Sequence, residues 1–418
     1  MFEVLSRSWA LLLGMMLLMV GNGLQGTLLG IRGGIEGFST FEMSVVMSAY
    51  FAGFLGGSRV APEMIRRVGH VRVFAALASL ISAILILYPA FAHPVTWALG
   101  RVVIGFCFSG VYVTAESWLN NSADNTNRGK ALSVYMIVQM FGFVSAQVLL
   151  AMGDVSGYAL FIVSSVLVSI SFAPILLSIS PTPAFETAKP MPLKTLIKIS
   201  PLGCFGMFLL GGVFSAQFGM SAVYGVAAGF TIFQISLFVS SIYVGALLMQ
   251  YPIGWFSDRV DRRLVILIVA FLGGVMSLVA FSFDQYFIVL LVVAFIIGGT
   301  SNPLYSLLIA YTNDYLDADD MASASGGLIF INGMGAIAGP LVTGKMMETF
   351  GTQAFFIVIA ILMLTLTGYA GYRMTQRSRD GIEDGLYAPV MPSSSPVAVE
   401  VAAEFYIETA MEEEGNET

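Results

Sequence analysis

One apolar segment of the sequence, residues 95–118, carries a cation and a carboxylate on a single predicted helix face. Arg101, Gly105, Phe108, Tyr112 and Glu116 recur at spacings of three and four residues, so they form one stripe along a helix. A guanidinium binds carboxylates and phosphates through its planar set of donors. An ionisable side chain inside an apolar segment is also a candidate proton site. The stripe could therefore bind an anion or exchange a proton.

Uncharged polar side chains in other apolar segments could complete a binding site for a small molecule. Each of them has an alternative interpretation, in which it only forms hydrogen bonds between helices. Matched tyrosines could likewise be gates or packing residues. The candidates for binding a solute are Asn22, Gln25, Arg101, Tyr112, Gln139, Gln217, Tyr243 and Asn332.

The sequence contains two similar halves about 193 residues apart. At that offset Tyr50 aligns with Tyr243, and Gly142 aligns with Gly335. Repeated halves in an apolar chain are typical of transporters that hold their substrate between the two halves and expose it to each side in turn.

The composition predicts an integral membrane protein. Hydrophobic residues make up 57% of the 418 residues, and charged residues only 11%. The apolar runs are each close to the length of about 20 residues that a helix needs to cross a bilayer, and they do not alternate as barrel strands would. We predict an all-α membrane protein with twelve transmembrane helices, at residues 9–30, 41–60, 73–91, 95–118, 131–152, 158–179, 201–222, 231–253, 264–283, 286–309, 322–346 and 354–373.

The basic residues predict the orientation. With both termini in the cytoplasm, 16 of the 19 Lys and Arg residues fall on the cytoplasmic side, and only Arg32, Arg101 and Lys345 fall in the outer half. A Pro- and Lys-containing segment interrupts the helices at mid-chain, and acidic residues follow the last one. We expect an N-terminal six-helix bundle at 1–180, a cytoplasmic linker at 181–200, a C-terminal six-helix bundle at 201–375 and an acidic cytoplasmic tail at 376–418 that is disordered or forms a short surface helix.

The most specific motif lies between the second and third predicted helices of the second half. Its sequence, GWFSDRVDRR at residues 254–263, resembles the signature cytoplasmic loop of the major facilitator superfamily, Gly-x-x-x-Asp-Arg-x-Gly-Arg-Arg, with Asp261 at the second glycine position. The first half carries a degraded copy, PEMIRRVGHVR at residues 62–72. That copy, together with ESWLN at residues 116–120, resembles the YcaD-like branch of the superfamily.

The resemblance implies a charge network that closes the cytoplasmic face. In the first half Arg66 stands at the aspartate position, so its carboxylate must come from elsewhere, and Glu116 is the nearest candidate. Glu116 would then pair with Arg66 or Arg67; the alternative is a proton site that couples transport to a proton gradient. Asp314 is expected to pair with Arg259 or Arg262. The coupling and gating candidates are Arg66, Arg67, Glu116, Asp258, Arg259, Arg262 and Asp314.

Arg101 also belongs to a short family-like pattern. The segment Arg101-Val-Val-Ile-Gly105 resembles the Arg-x-x-x-Gly pattern of the fourth helix in the same superfamily. The resemblance implies an arginine at the interface of the two bundles, tied to substrate or proton coupling. The alternative is that Arg101 extends to the outer headgroups or bonds to backbone carbonyls.

The sequence therefore predicts a secondary active transporter that moves a small organic solute across a bacterial inner membrane by alternating access. Proton coupling is the default expectation, with uniport and exchange left open. The alternatives are an exporter of amphipathic drugs or lipids, and a non-transporting membrane receptor or scaffold. Two isolated cysteines and two histidines outside the apolar core offer neither a metal site nor a nucleophile set, so we expect no enzyme and no cofactor. The expected partners are a small-molecule substrate, the lipid bilayer and protons, without nucleic acid, and the expected state is a monomer.

Overall fold

The computed structural model of the protein describes residues 2–122, 128–177, 191–376, 387, 389–392, 394–395 and 397–399. Within this part of the chain all regular secondary structure is helical. The first half consists of α1 (Phe2–Ile35), α2 (Thr40–Val68), α3 (His70–Ala90), α4 (Pro94–Ser122), α5 (Arg128–Met152), α6 (Ala159–Ser171) and the short α7 (Ala173–Leu177). The second half consists of α8 (Leu193–Ile199), α9 (Pro201–Ser215), a π-helix (Ala216–Met220), α10 (Ser221–Ala227), α11 (Ile232–Ser257), α12 (Arg262–Ser282), α13 (Phe287–Asn313), α14 (Ala318–Phe350) and α15 (Ala354–Gln376).

Eleven helical segments among the described residues are long and apolar enough to cross a membrane. One of them, Pro201–Ala227, combines α9, the π-helix and α10. The remaining long helix, α2, has 29 residues, and its serines, glycines and charged residues lower its hydropathy. The predicted all-helical membrane fold is confirmed. The predicted linker at 181–200 contains α8, and its residues 181–190 lie outside the described part of the chain.

The same local structure begins the second spanning helix of each half. The Ser39 hydroxyl accepts a hydrogen bond from the Glu42 backbone N–H, while the Glu42 carboxylate accepts one from the Ser39 N–H. Thr231 and Gln234 form the same reciprocal cap at the start of α11. Such a box satisfies two backbone donors that the first helical turn leaves free. The same capping box thus begins corresponding helices in the two halves.

A corresponding pair of helices packs at very short range in each half. A Cβ at Gly105 on α4 would overlap the backbone carbonyl of Tyr50 on α2, and a Cβ at Gly298 on α13 would overlap that of Ile242 on α11. Only glycine allows two helix backbones to approach this closely. The pairs α2/α4 and α11/α13 are therefore equivalent, as the alignment of the halves predicts.

The two halves meet along several helices. With α2, the described residues form twelve long helical segments, an even number, so α1 begins and α15 ends on the same side, which we call the terminal side. On the opposite side Gly344 of α14 packs on Ser44 of α2. Closer to the centre, the Ser48 hydroxyl donates to the Ile337 backbone carbonyl at 2.6 Å. The opposite side is thus closed by direct contact between the halves.

Part of the chain after α15 returns between the two halves on the terminal side. Val390, Met391, Ser395 and Val399 are each no more than 2% exposed, and residues 397–399 are helical. This differs from the disordered tail or short surface helix expected for 376–418, because the apolar residues of this stretch bury their side chains against the helices. Residues 400–418, which hold most of the acidic cluster, lie outside the described part of the chain.

Candidate functional site: a cavity between the halves and its terminal-side mouth

A cavity lies between the two halves. Its empty space is about 1020 Å³, a volume that includes open solvent. Both halves contribute to its wall. The predicted binding residues that line it are Asn22, Gln25, Arg101, Tyr112, Tyr243 and Asn332.

Two predicted binding residues, Gln139 and Gln217, do not line the cavity. Gln217 lies in the π-helix, and its Oε1 accepts a hydrogen bond from the Ser301 hydroxyl at 2.9 Å, within the second half. Asn302, the residue after Ser301, does line the cavity and was missed. The polar pair Ser301-Asn302 inside an otherwise apolar helix was the signal that could have found it.

Arg101 is buried in the wall of the cavity, with 4% of its surface exposed. Its Nη1 donates to Gln25 Oε1 at 3.0 Å, and its Nη2 lies 3.5 Å from the Met47 sulfur. Its guanidinium carbon is 4.6 Å from the centre of the Tyr50 ring. Its Nε has no hydrogen-bond partner in the structure. Every contact of Arg101 named here is to an uncharged group, so the charge is not neutralised by them.

The side chain of Gln25 determines how Arg101 is presented to the cavity. Gln25 Nε2 donates to Asn22 Oδ1 at 3.1 Å, which leaves Gln25 Oε1 to accept from the guanidinium. An amide held at both ends keeps one orientation. A chain of hydrogen bonds therefore links Asn22 and Gln25 of α1 to Arg101 of α4.

Aromatic rings from both halves form another part of the wall. Phe143 of α5 and Tyr243 of α11 stack with their centroids 4.8 Å apart and an angle of 4° between the planes. Phe218 lies 4.9 Å from Tyr243. These three rings line the cavity together with the hydrogen-bonded polar residues of α1 and α4. The site can thus contact an apolar, planar group and a charged group at once.

The motif loop of the second half places a buried ion pair on the terminal side. Arg262 Nη1 lies 2.5 and 2.6 Å from the two carboxylate oxygens of Asp314, and the two side chains are 1% and 3% exposed. Arg259 instead lies over the Trp255 ring, 4.1 Å from its centre, and donates to the Trp255 carbonyl at 2.9 Å. Asp314 therefore pairs with Arg262, one of the two expected partners.

The prediction that Glu116 forms an ion pair with Arg66 or Arg67 is wrong. Both arginines pair with Glu63, Arg66 at 2.8 Å and Arg67 at 2.6 Å. Glu63 lies three and four residues before them on the same helix, and this spacing brings side chains together on one face. A carboxylate from the same helix thus takes the place that the prediction gave to Glu116.

Glu116 and Asp258 both bind the returning segment. Glu116 is 2% exposed; it accepts a hydrogen bond from the Tyr135 hydroxyl at 3.3 Å and one from the Ser395 backbone N–H at 2.8 Å. Asp258 Oδ1 accepts one from the Tyr387 backbone N–H at 2.7 Å. Two predicted gating residues, one from each half, therefore contact residues after α15.

Comparison with known proteins identifies the fold and the family. A family model described as Major Facilitator Superfamily matches residues 11–241 and 203–385. The chain is 26% identical over 360 residues to an "Uncharacterized MFS-type transporter" of Yersinia pestis (strain Pestoides F), covering 84% of this chain and 91% of the relative. It is 26% identical over 372 residues to the "Uncharacterized MFS-type transporter YcaD" of Escherichia coli O45:K1, covering 87% and 95%.

Solved structures share the architecture at low sequence identity. The crystal structure of the nucleoside transporter NupG superposes with a TM-score of 0.72 at 15% identity, covering 89% of this chain and all of that one. A bacterial homologue of the human lysosomal transporter Spinster, in an inward-facing and unoccupied conformation, gives 0.66 at 13% identity, covering 96% and 98%. At these identities the likeness concerns the fold alone.

Proposed function

The chain belongs to the major facilitator superfamily, and we propose on that premise that it carries a small organic anion through the membrane by way of the central cavity. It is a membrane transporter, and its family consists of transporters rather than enzymes. We propose in addition the class of its substrate, the ion gradient that drives transport and the membrane in which it lies.

The observation that supports this proposal most strongly is that the buried guanidinium of Arg101 contacts only uncharged groups among those named above. A buried guanidinium is costly unless charged or polar groups compensate it. Here the compensation comes from one amide oxygen, one sulfur and one aromatic face, while Nε is left without a partner. A carboxylate or phosphate group of a bound solute would supply the missing charge and accept the free N–H.

The remainder of the cavity supports a solute with an apolar, planar body. The stacked pair of Phe143 and Tyr243 comes from the two halves, and Phe218 extends the same aromatic wall. These surfaces also favour a second candidate function, export of an amphipathic anion. Uptake and export use the same cavity, so the direction of flux separates them.

The proposed setting is a bacterial inner membrane, with the terminal side in the cytoplasm. The distribution of Lys and Arg supports that orientation, and the relatives named above are bacterial. We propose a monomer that runs on an ion gradient, with Glu116 as the proton site. Its support is a carboxylate buried inside a transport helix, where the Tyr135 hydroxyl and the Ser395 backbone N–H that donate to it are uncharged.

The binding test uses purified protein and thermal shift against a panel of aromatic and aliphatic carboxylates and phosphates. Because hydrogen bonds to a charged group contribute about 1.5–3 kcal/mol, we expect Arg101→Gln to weaken binding of the best anion by roughly 10- to 100-fold. Lys345→Gln is the matched control, since Lys345 is an exposed cation paired with Glu348. It should bind as the unmodified protein does.

The transport test measures flux of the same anion in membrane vesicles. Arg101→Gln should lose flux at unchanged membrane abundance, and Lys345→Gln should retain it. Unchanged binding and flux in Arg101→Gln would contradict the proposed role of the cavity arginine. Stabilisation by neutral analogues that equals stabilisation by the anion would contradict the proposed substrate class.

A further inference from the structure

Residues 387, 389–392, 394–395 and 397–399 cross the terminal-side mouth of the cavity from the second half to the first; we call this stretch the strap. In the second half it contacts α11 and α13, and in the first half it contacts α4. Its described residues from Val390 onward are buried, apart from Val397. The strap thus lies within the space between the halves.

Hydrogen bonds from three side chains hold the beginning of the strap to the second half. Gln250 Nε2 donates to the Tyr387 hydroxyl at 2.7 Å. The Ser306 hydroxyl accepts from the Val390 N–H and donates to the Val390 carbonyl, both at 2.9 Å. Asp258 adds the bond to the Tyr387 N–H described above. These bonds fix both side chain and backbone of the strap, which non-specific collapse would not require.

A glycine of the family motif provides the space for the Tyr387 ring. A Cβ at Gly254 would lie 3.1 Å or less from three carbons of that ring. Atoms this close overlap, so a side chain at position 254 would displace Tyr387. The first residue of the motif therefore forms the seat of the strap.

The end of the strap binds the first half through a buried carboxylate. Glu116 Oε2 accepts the Ser395 backbone N–H at 2.8 Å. The strap therefore joins the halves, with Asp258 at one end and Glu116 at the other.

The middle of the strap forms one wall of the cavity. Met391 and Pro392 line it together with Asn22, Arg101 and Asn332. The opposite side is closed by the direct contact of the halves at Gly344 and Ser44. A solute would have to pass the strap to enter or leave from the terminal side.

We propose that the strap is an autoinhibitory plug, which occupies the terminal-side mouth and must leave before the transporter can release its substrate or close that side. Alternating access requires the helix ends around the mouth to approach each other, and the strap fills the space into which they would move. The inhibitory effect rests on the proposed transport function, whereas occupancy of the mouth does not.

Occupancy is tested with a single reporter cysteine and no substrate. Ile329 lines the cavity and is 8% exposed, so Ile329→Cys is placed in a Cys107→Ala, Cys204→Ala background. A membrane-impermeant maleimide is added from the terminal side of oriented vesicles. A chain ending at Gln376 should label about tenfold faster or more, because the open fraction of the mouth sets the rate. Thr375→Cys, an exposed position before the strap, should label equally in both chains.

A peptide of residues 385–400 tests whether the strap itself protects the cavity. A tethered segment acts at an effective concentration near the millimolar range, so the peptide is added at about 1 mM. It should restore slow labelling of Ile329→Cys in the shortened chain, and a scrambled peptide should not. Equal labelling with and without the strap, or protection by the scrambled peptide, would overturn the proposal.

Point variants test the seat without removing the chain end. Gly254→Ala should speed labelling of Ile329→Cys in the full chain and have no further effect in the chain ending at Gln376, because Tyr387 is then absent. Tyr387→Phe removes the hydroxyl that accepts from Gln250 and should give a smaller increase. Tyr372→Phe is the matched control, since Tyr372 lies exposed on α15. An equal effect of Gly254→Ala in both chains would contradict the seat.

Flux measurements separate the plug from the proposed function. The chain ending at Gln376 should transport the anion faster than the full chain, and the peptide should slow it again. Labelling that depends on the strap, with equal flux in both chains, would overturn the inhibitory role. Labelling that depends on the strap, with no flux of any anion in either chain, would contradict the proposed function and leave the occupancy of the mouth supported.

Discussion

Two ionisable residues of α4, Arg101 and Glu116, lie on one helix face but at different depths. They are 15 residues apart, which corresponds to about 22 Å along a helix. Arg101 faces the cavity, and Glu116 lies at the terminal-side mouth under the strap. A single small anion bound at Arg101 cannot touch Glu116. Substrate binding and proton exchange would therefore take place at separate sites of the same helix.

Glu116→Gln tests the proton site. The amide is close in shape to the carboxyl group and can still accept from Ser395, but it cannot gain or lose a proton. Among the described residues, the phenols of Tyr135 and Tyr305 are titratable groups that interact with Glu116. We expect the variant to transport at a rate that no longer changes with the pH on the terminal side, measured as vesicle flux across a pH series.

The matched control for that substitution is Glu63→Gln. Glu63 is an acid of the same half, but its side chain is 40% exposed and pairs only on the surface of α2. Its variant should keep the pH profile of the unmodified protein. A normal pH profile in Glu116→Gln would show that the coupling proton binds elsewhere.

At the scale of elements, the buried pair of Arg262 and Asp314 joins the start of α12 to the end of α13. Removing one partner of a buried ion pair leaves an uncompensated charge and costs about 3–5 kcal/mol. Asp314→Asn should therefore lower the melting temperature of the purified protein clearly. Glu348→Gln, which breaks the exposed pair with Lys345, should cost about 0–1 kcal/mol. Equal melting temperatures for the two variants would contradict a structural role of the buried pair.

The sequence predicts where the helices lie better than it predicts where they deviate from regular α-helical geometry. Long apolar runs indicate the spanning segments, and the aligned halves indicate which helices are equivalent, because both depend on burial patterns that repeat along the chain. The π-helix at Ala216–Met220 interrupts the helical run at residues 201–227 without any such pattern. Gln217, which the sequence predicts as a binding residue, lies in this π-helix and bonds to Ser301 instead of lining the cavity.

The strap could not be predicted from composition alone. Its prolines and serines are typical of disordered segments, and its bonds to Ser306 and Glu116 use backbone N–H groups that every non-proline residue carries. The gating prediction for Glu116 failed for a related reason. The sequence shows which charges exist, but Glu63, three and four residues before Arg66 and Arg67 on α2, is the carboxylate that both arginines contact.

At the scale of the whole molecule, the contact that closes the opposite side must open during transport. Met47 of α2 and Gly219 of the π-helix belong to different halves, and a Cβ at Gly219 would lie 3.5 Å from the Met47 Cβ. This separation suits a disulfide. In the background without Cys107 and Cys204, Met47→Cys with Gly219→Cys should lose flux on oxidation and regain it on reduction. The single variants serve as controls, because they cannot form the bond.

Flux that persists after complete oxidation of the pair would contradict rocking of the halves about the cavity. The expected loss is independent of the strap, because the chain ending at Gln376 should be arrested in the same way. The two ends of the pathway can thus be probed separately in one background.

The position of the strap in the chain also fixes when it can bind during biosynthesis. A ribosome releases residues 387–399 only after every helix has been made, and domains fold from the N-terminus onward as they are synthesised. The partners of the strap, Glu116 and Ser306, belong to different halves, so it has no complete binding surface until both halves are in place. Proteolytic resistance of residues 387–399 in newly made protein would therefore report finished assembly, and chains damaged in either half would be cleaved there.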